Sequence, residues 1–336
     1  MSNRLNIVYL CNDLYAMLVG VSLTSCCENN KDVEDLRFYI INDVGGGKIK
    51  EENQRKLQEI AAIYYREICF YETGYLIKKL ESKGVSKYKN TYTPYFKLFL
   101  GDMLPDEVQS VLYIDADTIV LGNLMEYQEL AEQFSENISV IGVKDVAARI
   151  AKENYGYSGQ QYINTGVLYF RLKQYREHNC EKKIIRYMER NHKSFRFADQ
   201  DLLNLSISEE IGVVDLKFNF LAFVYELSAK EIYKMYHLKP WQYYSQQEID
   251  KAKRDIRIVH YVDLIGHPWE QNTKCPLCNV WMGYHKKSLF QSQNFPFVKR
   301  CMTKRVGIQI WKLSKKLYCA IFANKIVQKV IQVMSG

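Results

Sequence analysis

With 336 residues, the chain is long enough for one large α/β domain or two smaller ones, and its 47% hydrophobic and 13% aromatic content excludes wholesale disorder. The formal net charge of +8 is unevenly placed, because residues 271–336 hold 12 of the 46 basic and none of the 38 acidic residues. The first 270 residues therefore carry a net charge of −4, and the basic segment predicts an anionic surface as partner. The 9 cysteines, an odd number without regular spacing, favour reduced thiols and a cytoplasmic protein.

The first half of the chain alternates apolar runs with amphipathic segments, as strands and helices do. The predicted elements are a strand over residues 5–10, a helix over 16–29, a strand over 36–41, a helix over 48–65 and a helix over about 94–104. The most convincing strand follows at 110–114 and runs directly into Asp115. Strands that alternate with helices indicate βαβ units and a mostly parallel sheet, so we expect an α/β fold.

The second half is more mixed. Predicted strands lie at 139–143, 165–170, 212–216 and 256–261, and predicted helices at 172–191 and 199–210. Residues 221–255 are rich in Tyr and Lys and give no clear periodicity. The basic segment begins as loop-like sequence, and we expect it to turn helical after about residue 298.

Two carboxylates, Asp115 and Asp117, stand at the carboxyl end of the strand over 110–114. Side chains two apart share a face, and open α/β sheets bind ligands beyond the carboxyl ends of their strands. Two carboxylates there are costly to desolvate unless a cation neutralises them, and hard divalent ions prefer oxygen ligands. The pair predicts a divalent-metal site, with two solvated loop aspartates as the alternative for this spacing alone.

The segment Val111-Leu-Tyr-Ile-Asp-Ala-Asp-Thr-Ile-Val120 resembles the Asp-x-Asp segment of glycosyltransferase family 8, especially that of bacterial lipopolysaccharide galactosyl- and glucosyltransferases. Four further segments match the family in the right order within about residues 5–285. They are Asn12-Asp-Leu-Tyr15, Tyr162–Leu168, Asp199–Asn204, and Ile258–Tyr261 together with Gly266–Trp269. Any one of these motifs is weak, but five in order are strong evidence of the resemblance.

The resemblance implies a GT-A type nucleotide-sugar-binding fold, which is a Rossmann-like mixed sheet flanked by helices. It implies transfer of glucose or galactose from a UDP-sugar, with retention of anomeric configuration, to a glycan acceptor such as a lipopolysaccharide precursor. Asp115, Asp117 and His260 would hold the metal, and one imidazole beside two carboxylates suits Mn²⁺ somewhat better than Mg²⁺. For His260 the alternative is a structural role.

The same resemblance implies a catalytic pair, in which Asp199 bonds sugar hydroxyls and Gln200 faces the anomeric carbon. Besides the two metal-binding aspartates, the donor-binding residues that it implies are Asn12, Asp13, Tyr15, Lys97, Ala116, Asn164, Thr165, Gly266 and His267. For Asn164 and Gln200 the alternative is a side-chain bond that orders a loop.

Several positions depart from the family pattern. In the first loop, Cys11-Asn12 stands where relatives carry an Asp or an Ala-Asp pair, and Leu14 stands where they carry Asn. Lys97 stands where relatives carry an Arg near the donor, and His267 stands where they carry a phosphate-binding Lys. Lys lacks the bidentate fork of Arg, and His is only partly charged at neutral pH. We therefore expect a weaker phosphate clamp, which affects donor affinity more than reaction class.

Two other functions remain as alternatives. A haloacid-dehalogenase-like phosphatase would use Asp115 as its nucleophile, but its motif normally follows the first strand, and it leaves His260 without a role. A nucleic-acid binder would use the basic segment, but the acidic body argues against it, so we expect no nucleic acid as partner. Cys275 and Cys278 form a lone CxxC, and a zinc site needs four ligands.

The extent of the resemblance implies a catalytic domain over residues 1–285, and the basic, amphipathic character of the remaining residues predicts a membrane-associating tail over 286–336. Apolar residues recur in the tail at helical spacing among lysines, namely Val306, Ile310, Leu313, Leu317 and Ile321, with Trp311 nearby. Such a helix favours the surface of an anionic membrane, and its lysines keep every apolar run too short to cross one. We expect peripheral attachment to the inner face of the plasma membrane, near a lipid-linked acceptor, with a helix packed on the body as the alternative.

Overall fold

A mixed sheet forms the centre of the protein in a computed structural model that describes residues 4–157, 159, 161–191, 195–262, 266–270, 275–294, 307, 309–311 and 313–324. The strands are β1 (Arg4–Cys11), β2 (Asp35–Asn42), β3 (Glu67–Glu72), β4 (Val111–Ile114), β5 (Thr118–Val120), β6 (Val140–Lys144), β7 (Ile163–Phe170), β8 (Ile211–Val213), β9 (Phe220–Leu221) and β10 (Ile258–His260). Within the described residues, the main sheet has the order β3-β2-β1-β4-β7-β6-β8, and a smaller sheet has the order β5-β10-β9.

Helices cover both faces of the main sheet. They are α1 (Ala16–Asn29), α2 (Glu51–Ile63), α3 (Gly74–Ser82), α4 (Leu100–Met103), α5 (Met125–Glu132), α6 (Ala148–Tyr155), α7 (Leu172–Glu177), α8 (Cys180–Arg190), α9 (Ala198–Ser206), α10 (Ala229–Tyr236), α11 (Gln246–Arg254), α12 (Cys278–Lys287) and α13 (Lys315–Phe322). Successive strand residues point to opposite faces, so Ile7 packs in the core that contains α1, whereas Val8 packs in the core that contains α8 and α9. Residues 16–27 of α1 carry no charge, as their position between α2, β5 and α12 requires.

Strand direction gathers polar residues at one edge of the main sheet. β4 runs parallel to β1, and β7 runs antiparallel to both β4 and β6. The carboxyl ends of β1, β4 and β6 therefore meet the amino end of β7 at the same edge. Asn12, Asp115, Asp145 and Asn164 stand at these four strand ends.

The smaller sheet brings a distant part of the chain to the same edge. β5 begins directly after Asp117, and β10 pairs with it in an antiparallel register that sets His260 opposite Thr118. The backbone N–H of Tyr261 donates to the carbonyl of Asp117 at 2.9 Å. This pairing places His260 beside Asp117.

The predicted elements are largely present, but several elements differ from the prediction or were not predicted. The sequence predicts one helix over 172–191, which is wrong, because Asn179 has a φ of +53° and separates α7 from α8. Residues Thr93–Phe99 form a 3-10 helix before the short α4, where the sequence predicts one helix. β3 and α3 were not predicted, because β3 is a half-exposed edge strand with glutamates at both ends and gives little signal of burial.

The basic segment is described only in part. The predicted domain boundary after residue 285 falls inside α12 and stays a prediction. α13 packs against α10 with Tyr318 and Cys319 buried, whereas Leu313 and Leu317 of the predicted stripe are 84% and 51% exposed. Val306 and many of the lysines lie outside the described residues. Within the part of the chain that the structure describes, no helix is long and apolar enough to cross a membrane.

Candidate metal and donor site

The structure brings the three predicted metal ligands together. Asp115, Asp117 and His260 each offer a ligand atom, and these atoms lie within 4.8 Å of one another. Ala116, between the two aspartates, is buried in the turn that leads to β5. The side chains of Asp115 and Asp117 are 28% and 25% exposed, whereas that of His260 is 5% exposed. The two carboxylates are therefore accessible to a ligand, while the imidazole is fixed behind them.

His260 is held on two sides. Its Nε2 lies 3.2 Å from Oδ1 of Asp117, and its Nδ1 lies 3.0 Å from Oδ1 of Asn219. A Cβ at Gly166 would lie 2.0 Å from Cε1 of His260, so this ring position requires a glycine there. Burial disfavours the charged imidazolium, but Asp117 outweighs burial and raises the pKa of His260. Burial likewise raises the pKa of Asp117, but His260 outweighs it and holds that pKa below its ordinary value.

Lys97 links the predicted metal ligands to the predicted sugar-binding residues. Its buried ammonium lies 2.9 Å from Oδ1 of Asp115, 3.2 Å from Oδ2 of Asp199 and 3.2 Å from the carbonyl of Thr165. Burial lowers the pKa of Lys97, but the two carboxylates outweigh it and raise that pKa well above its ordinary value. Because the three contacts match the three donors of an ammonium group, the structure places Lys97 as a bridge between two carboxylates.

The predicted sugar-binding residues form a hydrogen-bonded cluster next to Lys97. β7 supplies Asn164 and Thr165, and the first turn of α9 supplies Asp199 and Gln200. The hydroxyl of Thr165 donates to Oδ2 of Asp199 at 2.7 Å, and Nδ2 of Asn164 donates to Oε1 of Gln200 at 3.2 Å. Burial raises the pKa of Asp199, and Lys97 and Thr165 only partly offset this effect.

Two members of this cluster were missed in the sequence analysis. Asp145 follows β6 and accepts a hydrogen bond from Nδ2 of Asn164 at 2.8 Å, and burial raises the pKa of Asp145. Asn219 is fully buried and lies between Asn164 and His260. Asp145 carries a usable signal, because it follows an apolar strand as Asp115 does. Asn219 belongs to no recognisable motif.

The predicted nucleotide loop, residues 12–15, lies at the carboxyl end of β1 and bonds mainly to backbone groups. Oδ1 of Asn12 accepts from the backbone N–H of Tyr15 at 3.1 Å, and its Nδ2 donates to the carbonyl of Gly46 at 3.2 Å. Oδ1 of Asp13 accepts from the backbone N–H of Lys50 at 2.9 Å. Burial raises the pKa of Asp13, but its bonds with Lys50 outweigh this and lower it. The ring of Tyr15 is well exposed.

Gly266 and His267 come a few residues after β10 in the sequence. Gly266 has a φ of +106°, a conformation that glycine adopts without strain. The ring of His267 stacks on Trp269 with the ring centroids 4.5 Å apart, and its Nδ1 lies 3.0 Å from Oε1 of Glu270. The pKa of Asp117 is affected most by burial, which raises it, and next by His260, which lowers it. The charge of His267 lowers it further. His267 is therefore close enough to Asp117, one of the predicted metal ligands, to influence it electrostatically.

The donor set fits a divalent cation. Two carboxylates and one imidazole supply oxygen and nitrogen ligands of the type that Mn²⁺ accepts, and carboxylates alone would also suit Mg²⁺. Lys97 bonds to Oδ1 of Asp115, and the Oδ2 of that carboxylate is a further ligand atom. Gly166 has no side chain and therefore leaves room for the ring of His260 beside the two carboxylates.

Comparisons with known proteins point to one family. The family model described as glycosyl transferase family 8 matches residues 6–273. The chain is 26% identical over 233 residues to the lipopolysaccharide 1,3-galactosyltransferase of Salmonella typhimurium, in a match that covers 65% of this chain and 64% of that protein. It is 24% identical over 307 residues to a lipopolysaccharide 1,2-glucosyltransferase of Escherichia coli, covering 88% of this chain and 81% of that protein. The chain thus spans less than two thirds of the length of the Salmonella relative.

A solved structure has a fold similar to that of this chain. The crystal structure of galactosyltransferase LgtC in complex with donor and acceptor sugar analogs aligns with a TM-score of 0.65 and 20% identity, covering 90% of this chain and 99% of that chain. At this level of identity the likeness establishes the fold. The predicted GT-A type fold is confirmed, with a mixed sheet between two layers of helices and the candidate site at the carboxyl ends of β1 and β4.

Proposed function

The chain belongs to glycosyl transferase family 8, and on this basis we propose that it transfers a hexose, glucose or galactose, from a UDP-sugar to a glycan acceptor. The proposed transfer retains the anomeric configuration and requires a divalent cation, Mn²⁺ or Mg²⁺. Membership of this family favours the transferase over the phosphatase alternative. The position of Asp115 after β4, in the interior of the main sheet and not after the first strand, also argues against that alternative.

The convergence of Asp115, Asp117 and His260 beside a cluster of sugar-binding side chains is the observation that carries the proposal. The three ligand atoms come from two strand ends that are distant in sequence, so the sequence spacing alone does not bring them together. They adjoin the edge of the main sheet where α/β folds bind nucleotides. A site that combines a cation, a diphosphate and a sugar is what a nucleotide-sugar donor requires.

Asp115, Asp117 and His260 would hold the cation. When bound, it would act as a Lewis acid that neutralises the diphosphate leaving group. Lys97 holds Asp115 in position, because its ammonium bridges Asp115 and Asp199. His267 lies within electrostatic reach of Asp117 and would add positive charge near the phosphates when it is protonated.

The sugar side of the site orients the donor. We assign Asn164 and Asp199 to the hydroxyls of the transferred hexose and Gln200 to the face of its anomeric carbon. Thr165 holds Asp199 through a hydrogen bond of 2.7 Å, so this carboxylate is fixed before the donor binds. We propose attack from the front face, in which the leaving phosphate accepts the acceptor's proton while these residues hold the sugar.

The nucleotide would lie against residues 12–15. Asn12 and Asp13 support the loop through backbone bonds, and the exposed ring of Tyr15 is suited to stacking on a base. Gly266 and His267 would close the site on the phosphate side.

We further propose a lipopolysaccharide or another cell-surface glycan precursor as acceptor, with the enzyme in the cytoplasm and peripheral on the inner face of the plasma membrane. The names of the Salmonella and Escherichia coli relatives support the acceptor class. The exposed Leu313 and Leu317 beside Lys315 and Lys316 support membrane contact. Flotation with anionic vesicles tests this contact. The full chain should float with the vesicles, and less of it should do so as the salt concentration rises. A chain that ends at Gln293 should stay unbound.

A panel of nucleotide sugars tests the function. With Mn²⁺ and without acceptor, slow hydrolysis should occur with UDP-glucose or UDP-galactose and be far slower with GDP-linked and ADP-linked sugars. As a control, the variant Asp106→Asn should hydrolyse the same donors as the wild type, because the side chain of Asp106 is 99% exposed on the surface. Equal hydrolysis of all donors, or none of the UDP-hexoses, would refute the proposed donor.

A further inference from the structure

Asn219 lies between the metal ligand His260 and the sugar-binding residue Asn164. It is fully buried, in the 3-10 turn that precedes β9. Its Oδ1 lies 3.0 Å from Nδ1 of His260, and its Nδ2 lies 2.8 Å from Oδ1 of Asn164. No other side chain among the described residues is hydrogen-bonded to both of these residues.

A backbone amide sets the polarity of these contacts. The N–H of Gly166 donates to Oδ1 of Asn164 at 2.9 Å, and because a backbone N–H can only donate, that oxygen is fixed as an acceptor. Asn219 must therefore present its NH₂ group to Asn164. Its carbonyl oxygen then faces His260, so the orientation of the Asn219 amide does not depend on a choice between oxygen and nitrogen.

The fixed amide decides which nitrogen of His260 carries the proton. An amide oxygen only accepts, so Nδ1 of His260 must be the N–H that donates to Asn219. In the neutral ring Nε2 then keeps its lone pair, and Nε2 is the nitrogen that lies 3.2 Å from Asp117. Histidine ligands generally donate their second ring nitrogen to such an outer partner, which fixes the tautomer and the ring orientation.

The other end of this chain of bonds reaches the sugar side. Because its oxygen faces Gly166 and Asn219, Asn164 turns its NH₂ group toward Asp145 at 2.8 Å and Gln200 at 3.2 Å. His260 is therefore connected to Gln200, one of the two predicted catalytic residues, through the side-chain amides of Asn219 and Asn164.

We propose that Asn219 is a positioning residue that holds His260 in its metal-binding tautomer and couples it to Asn164. This inference rests on the proposed metal-dependent transfer. It adds a residue that neither the sequence motifs nor the family resemblance singles out.

Two substitutions separate the two bonds. Asn219→Leu removes both at similar volume. Asn219→Asp keeps an acceptor facing His260 but sets a second acceptor oxygen against Oδ1 of Asn164. Asn30→Leu is the matched control, because Asn30 is also fully buried and bonds the carbonyl of Cys26 and the N–H of Leu124, far from the site.

Nitrogen-15 NMR of the metal-free protein at alkaline pH should show the Nδ1–H tautomer of His260 in the wild type, Asn219→Asp and Asn30→Leu. Asn219→Leu should shift His260 toward the Nε2–H tautomer. Calorimetry should show Mn²⁺ affinity reduced ~10–100-fold in Asn219→Leu and retained in Asn219→Asp and the control. Asn219→Asp should instead lower kcat for donor hydrolysis by roughly tenfold, because it disturbs Asn164.

An unchanged tautomer and unchanged Mn²⁺ affinity in Asn219→Leu would overturn the proposal, as would equal losses in Asn219→Leu and Asn30→Leu. The proposed function fails in a different way, since a wild type that binds no Mn²⁺ and hydrolyses no UDP-hexose refutes it. In that case the NMR measurement still decides whether Asn219 sets the tautomer of His260.

Discussion

The proposed metal ligands and the proposed nucleotide loop lie at the same edge of the sheet, but their polar side chains are held in different ways. Around Asp115, Asp117 and His260, buried side chains from separate elements bond to one another. In residues 12–15, by contrast, Asn12 bonds to backbone groups and the ring of Tyr15 is exposed. This difference indicates that the proposed metal ligands depend on long-range packing and should tolerate little change, whereas the proposed nucleotide loop should tolerate more.

The largest effect is expected at a proposed metal ligand. Asp117→Asn removes one anionic oxygen ligand and leaves His260 without its charged partner, so turnover of the UDP-hexose donor should fall roughly 10²–10³-fold. Steady-state kinetics at saturating Mn²⁺ measure this loss, and circular dichroism checks that the variant is folded. Turnover at the wild-type rate would remove Asp117 from the metal site.

Gly166→Ala tests the same region through packing. The new Cβ would lie 2.0 Å from Cε1 of His260, so the ring must move, and we expect Mn²⁺ affinity to fall about tenfold or more by calorimetry. Gly283→Ala is the control, since a Cβ there meets no atom within 4 Å. The close fit would be disproved if both variants bound Mn²⁺ like the wild type.

A pH titration should reveal the paired charges in the metal-free site. Asp117 raises the pKa of His260, so the imidazolium persists to higher pH than in an ordinary histidine, and a cation must displace its proton. Mn²⁺ affinity should therefore rise with pH, by up to about tenfold per unit, until the pH exceeds the raised pKa. In His260→Gln the rise should be much shallower. A pH-independent affinity in the wild type would show that His260 does not bind the ion.

The smallest effect is expected in the nucleotide loop. Asn12→Ala removes one bond to Gly46 and one to Tyr15, both on the partly exposed surface, so UDP affinity should fall by no more than about tenfold. Asn191→Ala, which removes a similar bond to a backbone carbonyl at the end of α8, is the control. A loss of UDP affinity in Asn12→Ala as large as the loss of turnover in Asp117→Asn would contradict the proposed difference between the two regions.

Local patterns in the sequence were enough to predict much of the fold. The apolar runs of β1, β2 and β4 stand out because these strands are buried, and the uncharged stretch of α1 reflects its central position. β3 was missed because an edge strand needs no continuous apolar run. The break at Asn179 was missed because a single residue with positive φ leaves no periodic signal.

The candidate site was predictable where a motif follows a strand, as at Asp115 and Asp117. His260 was predicted from the family resemblance, and only the pairing of β5 with β10 places it beside Asp117. Asn219 and the bridging position of Lys97 were not predictable, because both depend on contacts between residues far apart in the chain.

Removal and restoration of the metal test the central claim most directly. The full chain is treated with a chelator and freed of it, and hydrolysis of UDP-glucose and UDP-galactose is followed before and after Mn²⁺ is added back. We predict loss of nearly all activity on removal, and recovery with Mn²⁺ in the wild type but not in Asp117→Asn. Chelator-treated protein that hydrolyses the donor at its full original rate would contradict the account.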